Sequence, residues 1–367
     1  MDYTLAILLI GGLCAAACAL LGCFLVLRRM AMMADAISHA ILPGLVAGYF
    51  IARGPNLLIG FLGAALAAII TVSLVEALQN TRRVGGESAI GIVFPAMFAL
   101  GTFLVTRFAA NVHLDADAVL FGNIEFAPFD PLLIGSLNLG PQSIWVMAVL
   151  CAMNLAFIGL FYKELKLATF DSGLAAALGF SPIIIHYLLM TTVSITAVGA
   201  FTAVGAVLVV ALMIVPAASA YLLTDRLPVM IGLAVAIGVF CAAAGYAVAL
   251  VLDASVAGAI STWCGVCFAL SHLFSPRDGV IVRIRRVRRQ RLAFATDTLI
   301  LHLSNHEGVP GEEHEAEVGH LRGELRWSAR FAADVLALAL RQGIAQATDG
   351  HLFLTEAGRM RAAQFTE

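Results

Sequence analysis

The sequence predicts an all-α polytopic membrane protein of about eight or nine spanning helices, followed by a small polar domain. Three observations carry this. Hydrophobic residues make up 61% of the 367 and charged residues only 13%, whereas average chains carry roughly 25% charged residues. Mean hydropathy is +0.94, and the apolar residues gather in runs near the ~20 residues that a spanning helix needs. Of 22 lysines and arginines, 13 lie from Arg277 onward, so a polar tail follows an apolar body. The expected divisions are a transmembrane domain at 1–276, a basic juxtamembrane linker at 277–291 and a tail domain at 292–367.

In order, the apolar runs cover residues 5–27, 36–52, 57–78, 89–106, 144–161, 183–199, 204–223, 229–252 and 255–274. With the N-terminus outside, Arg28, Arg29, Arg82, Arg83, Lys163, Lys166, Arg226 and the basic run after Arg277 all face the cytoplasm. Only Arg53 and Arg107 then face out, which satisfies the positive-inside rule. The expected topology is N-out and C-in. Small residues recur along these runs, as in Gly60-Phe-Leu-Gly63 and Ala242-Ala-Ala-Gly245, and permit close helix approach in lipid. The seven cysteines all sit in apolar runs and read as small hydrophobes. A single Cys264-Gly-Val-Cys267, with no second pair, makes a poor zinc or redox motif.

Residues 28–44 carry chemistry. Asp35 and His39 are four residues apart, so on a helix they share one face. Pro43-Gly44 weakens the backbone a turn later. Carboxylate oxygen and neutral imidazole nitrogen are ligands that manganese, iron and zinc all accept. Ionisable groups within membrane spans are costly and point to function. A second reading of the same residues has Asp35 capping the helix and His39 bridging helices.

Two connecting stretches stand out. Residues 108–140 are polar and irregular; within them His113, Asp115 and Asp117 form a possible cation entrance, set against the simpler reading of a solvated acidic loop. On the cytoplasmic side, Asp171 or Ser172 can cap a short helix that Gly179 ends and Pro182 closes off.

Leu25-Val-Leu-Arg-Arg-Met30 followed by Asp35-Ala-Ile-Ser-His-Ala-Ile-Leu-Pro-Gly44 resembles the signature of the manganese/zinc/iron permease family of ABC importers. The likeness continues through Glu87-Ser-Ala-Ile-Gly-Ile-Val-Phe94, Leu120-Phe-Gly-Asn123 and residues 170–179 to Pro216. It covers about the first 275 residues and is nearest the manganese/iron branch. The resemblance implies a type II-like importer permease that carries a divalent cation as cargo and holds no permanent cofactor. It implies a second permease subunit, cytoplasmic ABC ATPase subunits and an extracytoplasmic metal-binding protein, in a bacterial cytoplasmic membrane. It assigns cation handling to Asp35 and His39, and ATPase coupling to Phe170, Asp171, Gly173, Leu178 and Gly179. The chain has no Walker A or other phosphate-binding glycine loop, so ATP hydrolysis is expected on a partner and the chain is not expected to be an enzyme.

After the basic run Arg283-Ile-Arg-Arg-Val-Arg-Arg-Gln-Arg291, where membrane lipid with anionic headgroups is the expected partner, the tail reads as three helices and a β-wing. Its end, Leu354-Thr-Glu-Ala-Gly-Arg359, resembles the winged helix of iron/manganese-dependent repressors. Residues 328–335 offer Arg330 and little else to reach base edges, so a regulatory or protein-binding role is expected and nucleic acid is not an expected partner. Two alternatives stand beside the metal permease: a membrane-tethered metal-responsive regulator, and an importer of metal chelates of the siderophore type.

Overall fold

The computed structural model describes residues 2–54, 57–81, 83–108, 124–134, 137–276, 279–309, 316–348 and 350–365. The chain divides into two compact units, Met1–Pro276 and Arg277–Glu367. Among the described residues of the first, nine helices are long and apolar enough to cross a membrane. The chain is an all-α polytopic membrane protein, as its hydropathy predicts.

Helix α1 (Tyr3–Leu27) is the axis of this unit. Cys14, Cys18, Leu21 and Phe24 on it are fully buried, and it packs on α6 (Gln142–Leu160), α10 (Ala206–Leu223) and α11 (Leu227–Leu252). Its closest approach is to α10, where a Cβ on Gly22 would collide with the Met213 carbonyl. Buried polar side chains add directional ties. Asn154 Nδ2 donates to the Ala17 carbonyl at 3.0 Å, and Thr196 Oγ1 donates to Asn154 Oδ1 at 3.1 Å. These bonds join α1, α6 and α9 (Pro182–Val204) where lipid offers no competing water.

The second predicted span is two helices, α2 (Ala31–Ala40) and α3 (Leu42–Ala52). They part at Ile41, and Pro43 occupies the first turn of α3, where its missing N–H costs nothing. Gly44 has a second purpose besides backbone freedom. A Cβ there would collide with the Gly63 carbonyl of α4 (Leu57–Asn80). A Cβ on Gly101 of α5 (Gly86–Phe108) would meet Leu42 and Pro43 at 2.9 Å. The start of α3 is therefore clasped between α4 and α5.

The connectors carry more structure than their composition suggests. Within 108–140, the described part ends in a hairpin of β1 (Pro131–Ile134) and β2 (Leu137–Pro141). Glu125 is structural: its Oε1 accepts from the Val256 N–H at 2.9 Å, at the head of α12 (Val256–Phe274). Between α6 and α9 lie α7 (Tyr162–Phe170) and the short α8 (Ser172–Ala177).

In the second unit, α13 (Val280–His306) begins well before residue 292, so residues 280–291 of the segment expected as a linker form the first turns of a helix. After it come α14 (Val318–Glu324), α15 (Ala329–Arg341), the hairpin β3 (Ala345–Thr348) and β4 (His351–Leu354), and α16 (Glu356–Ala363). Val335 and Ala339 on α15 pack with Leu299, Leu303, Leu352 and Leu354, the 3.6-residue stripe of a surface helix. Ion pairs of Arg361 with Asp297 (2.7 Å) and Arg288 with Asp334 (3.0 Å) tie α13 to α16 and α15.

Candidate cation site

Three residues, Arg28 to Met30, separate α1 from α2, and Arg29 among them takes a left-handed backbone with φ 58°. Asp35 lies in the second turn of α2, whose cap is Met30. The capping role considered for Asp35 is thereby corrected: its carboxylate lies too far along the helix to reach the free N–H groups at the start. His39 Nε2 stands 3.6 Å from Asp35 Oδ1, with 27% and 36% of the two side chains exposed. That separation is beyond hydrogen-bond range, so neither group consumes the other's lone pairs.

Two rings of α5 hold the imidazole. Phe94 lies 5.3 Å from the His39 centroid and Phe98 meets it edge-on at 5.9 Å. Ser38, between the pair in sequence, is buried and donates to the Ala34 carbonyl at 2.9 Å. It adds no ligand. Among the described residues, no third histidine, cysteine or carboxylate completes a metal cluster with Asp35 and His39. The suggested entrance residues His113, Asp115 and Asp117 lie outside the described residues.

The 170–179 stretch folds as its composition predicts. Asp171 Oδ1 accepts from the Leu174 N–H at 2.9 Å, which caps α8. Leu178 closes the helix and Gly179 follows at φ +87°, a conformation in which side chains other than glycine's are strained. Gly173 lies in the first turn. Phe170, Leu174 and Leu178, four residues apart, are 60%, 47% and 60% exposed. Exposed apolar side chains of this kind mark protein or membrane contacts. Leu174 is one of them and was not singled out from sequence.

A second group of polar side chains is brought together only by the fold, and two of its members, Glu76 and His186, were not singled out from sequence. Arg28 Nε donates to Thr169 Oγ1 at 3.1 Å, and its Nη1 donates to His186 Nδ1 at 3.3 Å. His186 Nε2 in turn contacts Glu76 Oε1. Burial lowers the Arg28 pKa, yet an arginine stays charged in proteins. Glu76 and His186 each stand within an apolar run, which is the signal that could have found them.

The model of the ABC 3 transport family matches residues 1–275. The chain belongs to that family. An ABC 3 member of this kind is a transport permease rather than an enzyme. The zinc transport system membrane protein TroD of Treponema pallidum (strain Nichols) is 46% identical over 355 residues, covering 97% of this chain and 96% of that protein. The manganese transport system membrane protein MntD of Bacillus subtilis (strain 168) is 42% identical over 292 residues, 79% of this chain and 99% of that one. Among solved structures, PsaBC from Streptococcus pneumoniae in complex with Fab aligns at TM-score 0.63 and 28% identity, over 76% of this chain and 94% of that one. The Treponema match, at 355 residues, runs on into the second unit, whereas the Bacillus match leaves about a fifth of this chain uncovered.

Proposed function

We propose that this chain is the permease subunit of an ATP-driven importer of divalent metal ions, with manganese the first candidate and iron or zinc the others. The observation that carries the reading is the Asp35–His39 pair, oriented by Phe94 and Phe98 on a broken helix of an ABC 3 permease. The two side chains offer oxygen and nitrogen to a cation passing through. Two protein ligands bind loosely enough to release it, and water or a second permease subunit supplies the remainder.

The proposed setting is a bacterial cytoplasmic membrane, with the N-terminus outside and the second unit in the cytoplasm. An extracytoplasmic metal-binding protein delivers the ion. Cytoplasmic ATPase subunits dock at Phe170, Asp171, Gly173, Leu178 and Gly179, and their closure drives alternating access. His113, Asp115 and Asp117 are retained as a proposed entrance. In the second unit, exposed arginines such as Arg285 and Arg289 suit anionic lipid. Its helices and hairpin motivate a winged-helix reading with a regulatory role.

The names of these two relatives divide between zinc and manganese, so the test compares metals directly. Proteoliposomes holding the permease, its ATPase and its binding protein are assayed for uptake of manganese, iron and zinc. Uptake of the bare ion that disappears in Asp35→Asn supports the reading and names the metal. Full uptake by that variant sinks the site. Uptake restricted to a siderophore complex supports the chelate alternative.

A further inference from the structure

Three helices meet at one guanidinium, and a fourth joins through His186. Arg28 leaves α1 in a turn whose next residue has φ 58°, a region that non-glycine residues adopt only when their surroundings impose it. Arginine carries donors and no acceptor. His186 Nδ1 must therefore accept from Arg28, which assigns the ring hydrogen to Nε2, the atom in close contact with Glu76 Oε1 though not in hydrogen-bond geometry. Each of those side chains is 17% exposed. On its other side Arg28 holds Thr169, one residue before Phe170 and two before the Asp171 cap. Two hydrogen bonds and one ion-pair contact thus link the end of α1 to α4, α9 and the last turn of α7. The positive guanidinium and the engaged Nδ1 make this carboxylate–imidazole pair a poor cation site.

We propose that Arg28, His186 and Glu76 are the joint that carries movement of residues 170–179 to α4 and α9, the helices packed beside α2 and its Asp35–His39 pair. The proposal rests on the reading that residues 170–179 dock on the ATPase. Its geometry favours transmission. Thr169 moves with the docking segment, while Glu76 and His186 move with the helices around the ion. A charge-assisted chain between them resists stretching more than apolar contacts do. Among the described residues, buried Arg28 Nη2 has no hydrogen-bond partner, leaving a donor for a second arrangement of the same groups.

The test measures manganese uptake and ATP hydrolysis together in proteoliposomes of the complete transporter. Glu76→Gln and Thr169→Val are expected to hydrolyse ATP close to the wild-type rate while ions imported per ATP fall by roughly tenfold. Thr169→Val removes one hydrogen-bond acceptor and keeps the side-chain shape, so it stays informative if Arg28 or Glu76 variants fail to fold. Uptake and hydrolysis that fall in step, or an unchanged ratio in both variants, overturn the joint. A separate control changes Phe170 and Leu178 to Asp and measures ATPase binding. Binding that survives this change brings down the docking reading itself. Binding that is lost, alongside an unchanged ratio in Glu76→Gln and Thr169→Val, brings down the joint alone.

Discussion

Among the described residues, two carboxylate–imidazole pairs stand in the membrane unit, and their surroundings separate them. Asp35 and His39 share one helix, lie 3.6 Å apart and keep part of their surface open. Glu76 and His186 bridge two helices, are more enclosed, and sit beside the Arg28 guanidinium. The ligand chemistry is the same. What differs is whether lone pairs remain free and whether a fixed positive charge repels a cation. Open lone pairs without a neighbouring cation suit transient metal binding; closed ones suit mechanical linkage. Residue type alone does not separate these roles.

The largest expected effect breaks the comparison directly. Removing a carboxylate ligand costs more than disturbing a group behind it, which itself costs 10–100-fold in affinity. Asp35→Asn should therefore weaken manganese binding by more than about 100-fold, whereas Glu76→Gln should leave it close to wild type. Equilibrium manganese binding to the purified transporter checks both. Equal losses at the two positions would erase the distinction.

Next in size is the support of His39. Replacing Phe94 and Phe98 with Ala frees the imidazole to adopt other rotamers, and manganese affinity should fall about tenfold. The same change should leave the ions imported per ATP at saturating manganese unaltered, since it touches neither Arg28 nor His186. A loss confined to that ratio would move the two rings to the transmitting side of the comparison.

Both the fold and the first pair were largely legible. Eight of the nine apolar runs became single long helices and the second a pair broken at Ile41, because burying backbone in lipid leaves little but helix to form. Asp35 and His39 were found because a spacing of four is a local signal. The second pair was missed for the complementary reason. Glu76, His186 and Arg28 are distant in sequence, and only the packing of α1, α4 and α9 brings them together. The hairpin at 131–141 was missed because its leucines and isoleucine are interrupted by Gly, Pro and Asn, which read as turn residues. Position 44 was half legible: its freedom beside Pro43 was read, but the contact with Gly63 needed the neighbouring helix. Gly44→Ala should destabilise the fold by about 1–3 kcal/mol, seen as a lowered unfolding midpoint. It should also reduce uptake, because α3 continues directly from the helix that holds the open pair.

The smallest effect concerns the docking segment that the enclosed pair is proposed to serve. Asp171 Oδ1 accepts from Leu174 N–H, and losing an N-cap costs about 1 kcal/mol. Asp171→Ala should fray α8 and scatter the orientation of Leu174, while Phe170 stays anchored at the end of α7. At about 1.4 kcal/mol per tenfold, ATPase affinity should fall by about fivefold. Asp171→Asn keeps an oxygen acceptor and should recover most of that loss. Affinity that falls equally in both variants would mean that the negative charge of Asp171 touches the ATPase. The segment would then recognise its partner by charge, and the exposed Phe170–Leu174–Leu178 edge would become secondary.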